Sequence, residues 1–170
     1  LFSTIHLLPF FPSSSDRGFS VMDFEQVDPA IGDWNLVSFL RREFKLMFDG
    51  VFNHISSQSR WFREFLDQNP DYIDFFTVFS TREAVSDDHL RILFRPRTSE
   101  VLTPFDTLNG RRLVWTTFSP DQVDLNFQNP RVLLMMIGIL LFYVRHGADL
   151  VRLDAVTYLW DELGTTGAHL

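Results

Sequence analysis

The chain has 170 residues, 45% of them hydrophobic, and a formal net charge of −7. That is one domain's worth of chain with enough apolar residues for a core, and its acidity argues against a nucleic-acid or anionic-membrane partner. There is no cysteine, which excludes a disulfide framework and a thiolate metal site and fits a reducing, cytoplasmic setting. Phenylalanine occurs 19 times; most must be core, and an aromatic-rich cleft also suits sugar. The longest apolar run, Val132 to Val144, is shorter than the ~20 residues a bilayer span needs, so a buried helix is expected there. Leu1 is not an initiator Met and the chain stops at Gly167-Ala168-His169-Leu170, so both ends read as truncated.

In chain order, residues 4–8 read as a short buried strand stopped by Pro9. Residues 12–33 form a Ser, Asp and Gly-rich loop, and Asp33 can cap a helix over 34–43. Residues 45–52 read as a second buried strand, and 58–68 as a short helix stopped before Asn69-Pro70. From 70 to 128 no period is sustained; an inserted subdomain is expected, with short strands at Arg91–Phe94 and Arg112–Thr117. Asn129-Pro130 opens a helix that runs to His146, Gly147 stops it, and 149–154 read as a third buried strand. This order is an α/β pattern with parallel strands. Periodicity alone leaves a (β/α)8 barrel and a doubly wound sheet equally open.

The strand ends carry the chemistry. In Gly147-Ala148-Asp149-Leu150-Val151-Arg152-Leu153-Asp154-Ala155 an apolar run leads into Arg152 and Asp154. Residues two apart on a strand share a face, so both would point the same way at the strand's C-terminal end. The Arg is expected to keep the Asp ionised, as a covalent nucleophile requires. Alone, the pair reads more simply as a structural ion pair. The polar end of the second strand, Asp49 to His54, changes that balance, because both ends would converge on one face.

Four segments, in this order, resemble the α-amylase superfamily (glycoside hydrolase family 13): Gly18-Phe19-Ser20-Val21-Met22-Asp23 with Val27-Asp28-Pro29, Asp49-Gly50-Val51-Phe52-Asn53-His54, Gln122-Val123-Asp124-Leu125-Asn126, and Gly147 to Ala155. The finer resemblance is to the sucrose phosphorylase-like subfamily, including glucosylglycerate and sucrose 6'-phosphate phosphorylases. It is carried by His6-Leu7-Leu8-Pro9-Phe10-Phe11, Arg95-Pro96-Arg97 and Val114 to Asp124, with Leu159-Trp160 and Gly164-Thr165-Thr166. The resemblance implies a partial (β/α)8 TIM barrel, about strands two to four, with a small subdomain inserted after strand three. The parts would be residues 1–57, 58–128 (the insertion) and 129–170.

It also implies roles. Asp154 matches the nucleophile that forms a covalent glucosyl intermediate, and Arg152 the residue that orients it. Asp16, His54 and Gln122 match the donor-sugar subsite. Arg95 and Arg97 lie on a loop that meets phosphate in the subfamily, although two solvated surface arginines would read the same way; for His54 a packing histidine is the lesser alternative, because it follows Asn53 in this motif. Asp49 and Asn53 are expected to be structural. Asn53 matches a calcium ligand of amylases, but the subfamily generally dispenses with calcium, so no metal or cofactor is expected. The partners would be a small-molecule α-glucoside and inorganic phosphate as co-substrate. His6, His89, His146 and His169 sit in no motif and read as structural, and Glu162 reads as solvated. The family's acid/base Glu and second essential Asp follow later strands. The chain therefore reads as part of an enzyme, marginally folded and without turnover alone. A hydrolase or transglucosidase of the same superfamily, or a non-catalytic remnant, are the alternatives.

Overall fold

The computed structural model describes residues 2–168. It begins with β1 (Thr4–Leu7), a long loop, α1 (Trp34–Leu40) and β2 (Lys45–Val51). The chain then passes through β3 (His54–Ser56), α2 (Arg60–Leu66), β4 (Val78–Phe79), α3 (Asp87–Ile92), β5 (Leu102–Thr107) and β6 (Gly110–Trp115). It returns through β7 (Gln122–Asp124) to α4 (Pro130–Arg145) and β8 (Leu150–Asp154).

The three expected apolar strands form one parallel sheet in the order β1-β2-β8. Register pairs His6 with Met47, Asp49 with Arg152, and Val51 with Asp154. Because side chains alternate along each strand, one sheet face carries His6, Met47, Asp49, Val51, Arg152 and Asp154. The other face carries Leu46 and Phe48, which are fully buried. Phe48 meets Phe10 edge-on at 4.9 Å and lies 6.0 Å from Tyr143, which stacks on Phe11 at 5.0 Å. The helices α1 and α4, through Trp34 and Tyr143, pack against this face. Asp33 accepts from the Leu36 amide at 2.9 Å to start α1. Asn129 accepts from the Arg131 amide at 3.0 Å to start α4, with Pro130 in its first turn.

The insertion leaves and returns through one neck, since β3 pairs antiparallel with β7. Its sheet has the order β4-β6-β5. Phe62, Phe65, Phe76 and Val114 join the main core, while Val85, Val101, Leu102 and Trp115 form a smaller cluster.

Several expectations are corrected. Residues 91–94 do not form a strand: Ser86 accepts from the His89 amide at 3.1 Å, and α3 follows over Asp87–Ile92. The Ser-Asp-Asp start is a helix N-terminus signal. Asn109-Gly110 marks a tight turn between β5 and β6, so the strand expected over 112–117 begins at Gly110 and is paired along its length. α1 ends at Leu40, and α2 is shorter than 58–68 at both ends. β8 is not buried. It is a sheet edge, and Leu150 and Leu153 are exposed. Nor is α4 buried all round: Val132, Met136, Ile139 and Tyr143 face the core, whereas Leu133, Leu134, Ile137 and Leu141 face outward. Among the described residues, no helix is long and apolar enough to cross a membrane.

Candidate active site

The end of β8, the start of β3, the loop after β1 and the start of β7 meet at one cleft of about 280 Å³, lined by Asp16, Phe19, His54, Arg97, Phe118, Gln122 and Asp154. Residues from five separate stretches of sequence thus share one cavity, and Asp16, His54, Gln122 and Asp154 are among them, as the motifs predicted.

Asp16 and Arg17 both have left-handed backbone, at φ 51° and 53°, and Gly18 follows at φ 104°. A Cβ on Gly18 would lie 2.5 Å from the Pro9 carbonyl oxygen, so only glycine fits this close approach. Ala155, directly after Asp154, is also left-handed at φ 51°. Such conformations cost about 1–3 kcal/mol each and concentrate where a site must be held in shape.

The nucleophile candidate sits in an acidic ladder. Arg152 donates one guanidinium nitrogen to Asp49 at 2.5 Å and the other to Asp154 at 2.9 Å. Asp49 is fully buried, and its second oxygen lies 3.0 Å from His6 Nε2. Burial pushes the Asp154 carboxyl above the ordinary carboxylate range. Arg152 opposes that rise, while Asp49 and Asp16 reinforce it. Arg152 is thus the cation that opposes desolvation and the two neighbouring carboxylates at Asp154.

His54 is almost fully buried, and burial pushes its pKa down to about 4. Its ring is neutral at neutral pH, with Nε2 3.0 Å from the Phe19 carbonyl oxygen and 3.1 Å from the Gln122 amide nitrogen. Gln122 in turn donates to Asp16 at 3.1 Å. Arg97 is exposed at the rim, with no hydrogen bond or ion pair among the described residues. Arg95 does not reach the cleft. Its guanidinium donates to the carbonyls of Thr116 and Thr117 at 3.2 and 3.0 Å and to that of Ser99, so it ties down its own loop. Glu162 is exposed, as expected, and accepts from Trp160 at 3.0 Å. His146 packs between Phe142 and Trp34, and His169 lies outside the described residues.

Asn53 donates to Asp124 at 3.1 Å, and its own buried carbonyl oxygen has no partner. Among the described residues no three acidic, cysteine or histidine side chains cluster in a way that could hold a metal ion, and the Asn53–Asp124 hydrogen bond ties the end of the Asp49–His54 segment to β7.

Two features escaped sequence reasoning. Asp121 accepts from four serine hydroxyls, of Ser14 and Ser15 at 2.5 Å, Ser57 at 2.7 Å and Ser56 at 3.3 Å. It binds the Asp16 loop to β3, and the serines of 13–15 and 56–57 are the signal that could have flagged it. The second is a pair of buried acids. Asp124 accepts from the Thr117 amide and hydroxyl, and Asp161 from Thr77 at 2.8 Å. Burial pushes Asp124 up to about 7 and Asp161 well above the ordinary range, with the charge of Asp124 adding to the latter.

These shifts predict a pH dependence. Asp124 holds its proton in the folded state up to about 7, against 3.8 unfolded. Its stabilising contribution is therefore complete below 3.8 and lost as pH rises through about 7. His54 does the reverse: the folded state binds fewer protons between about 4 and 6.5, so its contribution falls as pH drops through that window. The two oppose each other below 6.5, and only the acids act above it. Thermal melts should show stability declining as pH rises from 6.5 through 7; a flat or rising midpoint would contradict the assignment.

The α-amylase catalytic-domain model matches residues 2–167. The chain belongs to the α-amylase family. A glucosylglycerate phosphorylase from Allomeiothermus silvanus is 53% identical over 170 residues, covering 100% of this chain and 30% of that protein. A sucrose phosphorylase from Agrobacterium vitis is 32% identical, covering 98% of this chain and 36% of the relative. The crystal structure of sucrose 6F-phosphate phosphorylase from Thermoanaerobacter thermosaccharolyticum superposes with a TM-score of 0.89 at 28% identity, over 99% of this chain and 36% of that one. The chain thus spans about a third of the length of the family members it matches. The expected partial (β/α)8 barrel is borne out: three adjacent parallel strands with an insertion after the second of them, open at both edges.

Proposed function

We propose that this chain carries the nucleophile and donor-sugar subsite of a retaining α-glucoside phosphorylase. The observation that supports it most is the ladder Asp49–Arg152–Asp154 opening into the same cleft as Asp16, His54 and Gln122. In this reading an Asp154 oxygen attacks the anomeric carbon of an α-glucoside, the glycosidic C–O bond breaks, and the leaving group takes a proton from an acid/base residue on a later part of the longer protein. Phosphate then attacks the same carbon, the bond to Asp154 breaks, and α-glucose 1-phosphate leaves with net retention.

Asp16 accepts from sugar hydroxyls as an ionised acceptor. The His54 Nε2 proton, shared here with the Phe19 carbonyl, would also serve the sugar. Arg97 is the one arginine of the Arg-Pro-Arg loop at the cleft, and its guanidinium matches a phosphate. Arg95 is withdrawn from that role. Glucosylglycerate is the first substrate to test, with sucrose second, because glucosylglycerate phosphorylases are among the relatives of highest identity. Turnover of both by the full-length protein, with and without phosphate, tests the reading. Phosphate-dependent release of α-glucose 1-phosphate is expected. Glucose release indifferent to phosphate would make it a hydrolase, and binding without turnover a sugar-binding remnant.

A further inference from the structure

His6 lies on β1, two strands away from Asp154, yet it joins the same ladder. Asp49 is fully buried between them, and its two oxygens are divided: Oδ1 takes Arg152 and Oδ2 takes His6 Nε2 at 3.0 Å. A carboxylate only accepts, so His6 Nε2 carries the proton and donates. Arg152 in turn spans two carboxylates, Asp49 and Asp154. A bridge of this kind sits where the two pulls balance. Without His6, the buried Oδ2 of Asp49 loses its donor and its negative charge is compensated by Arg152 alone. The guanidinium, already 2.5 Å from Asp49 Oδ1, would then turn to serve both Asp49 oxygens and draw away from Asp154.

We propose that His6 is a positioning residue for the glucosyl transfer: through Asp49 it sets where Arg152 stands, and so the attack geometry of Asp154. This rests on the reading of Asp154 as nucleophile. The charged and titratable groups that face Asp154 are Arg152 on its own strand, Asp49 on β2, Asp16 on the loop after β1, and Arg97 and His54 across the cleft. Of these, His6 holds Asp49 directly and Arg152 through it, and the other three make no contact with it.

The test uses the full-length enzyme with His6→Leu and His6→Gln. Active sites are counted by mass-spectrometric labelling with a fluorinated glucosyl fluoride, so that kcat is expressed per competent site. His6→Leu is expected to lower kcat by roughly 10²-fold, the cost of a misplaced reacting group. KM for the glucoside should stay close to wild type, because Asp16, His54 and Gln122 are untouched. The acid limb of kcat/KM should move to higher pH, since Asp154 loses part of its cation. His6→Gln, whose amide nitrogen can occupy the place of Nε2, should recover most of the loss. If His6→Leu does not fold, His6→Asn replaces it: its amide is too short to reach Asp49, so it should behave as Leu and unlike Gln. A kcat per site and an acid limb unchanged in the Leu or Asn variant would overturn the proposal, even with a lowered Tm. A wild-type enzyme that transfers no glucosyl unit would overturn the functional reading and this proposal together.

Discussion

Asp154→Asn in the full-length protein is expected to reduce phosphorolysis by on the order of 10⁴-fold or more, the largest effect of any substitution in this chain. Asn keeps the size of the side chain and can still receive the Arg152 hydrogen bond at its amide oxygen, so the cleft should keep its shape. It cannot supply the carboxylate that forms the glucosyl ester. The donor subsite does not use Asp154 as its anchor, since Gln122 donates to Asp16 and the His54 ring is held by the Phe19 carbonyl. Glucoside binding measured by calorimetry should therefore survive while turnover disappears. Turnover close to wild type would remove Asp154 from the nucleophile's role, and lost binding with an altered melt would point to damage of the fold.

Phe48→Ala is expected to cost about 3–5 kcal/mol of stability, read from urea melts of the chain. Phe48 is fully buried on the helix-facing side of the central strand and meets Phe10, Trp34 and Tyr143. A ring lost at that point opens a cavity where β2 meets α1 and α4. Whole domains have about 5–15 kcal/mol to lose, and among the described residues this sheet has two unpaired edges, so a large fall in the urea midpoint is the expected outcome. Tyr143→Phe is the control. The Tyr143 hydroxyl is buried with no hydrogen-bond partner, and its removal should be neutral or stabilising by about 1 kcal/mol, because an unsatisfied buried group is lost. A Phe48→Ala midpoint within error of wild type would mean that the sheet and helices do not share one core.

The parallel sheet was legible because each strand is an apolar run ended by polar residues, and runs of that kind have few other uses in an α/β chain. Arg152 and Asp154 were legible for a related reason: alternation on a strand fixes which residues share a face, while Asp49 and His54 were legible from the polar segment that ends the second strand and its resemblance to the family. The bond from His6 to Asp49 was not, because it depends on the register of β1 against β2, which no local pattern encodes. Arg95 and Arg97 look equivalent in sequence; their separation into a loop tie and a cleft residue depends on which carbonyls the loop leaves unpaired. The four-serine grip on Asp121 is assembled from residues up to 107 positions apart. The exposed faces of α4 and β8 were misjudged as buried because their apolar content was read without knowing what lies beside them.

The most direct measurement of the central claim is to incubate the full-length protein with a fluorinated glucosyl fluoride, quench, and map the modified peptide by mass spectrometry. The account predicts one glucosyl adduct, on Asp154, that phosphate discharges as α-glucose 1-phosphate faster than water discharges it as glucose. An adduct on another residue, or none in an enzyme that turns over, would contradict it.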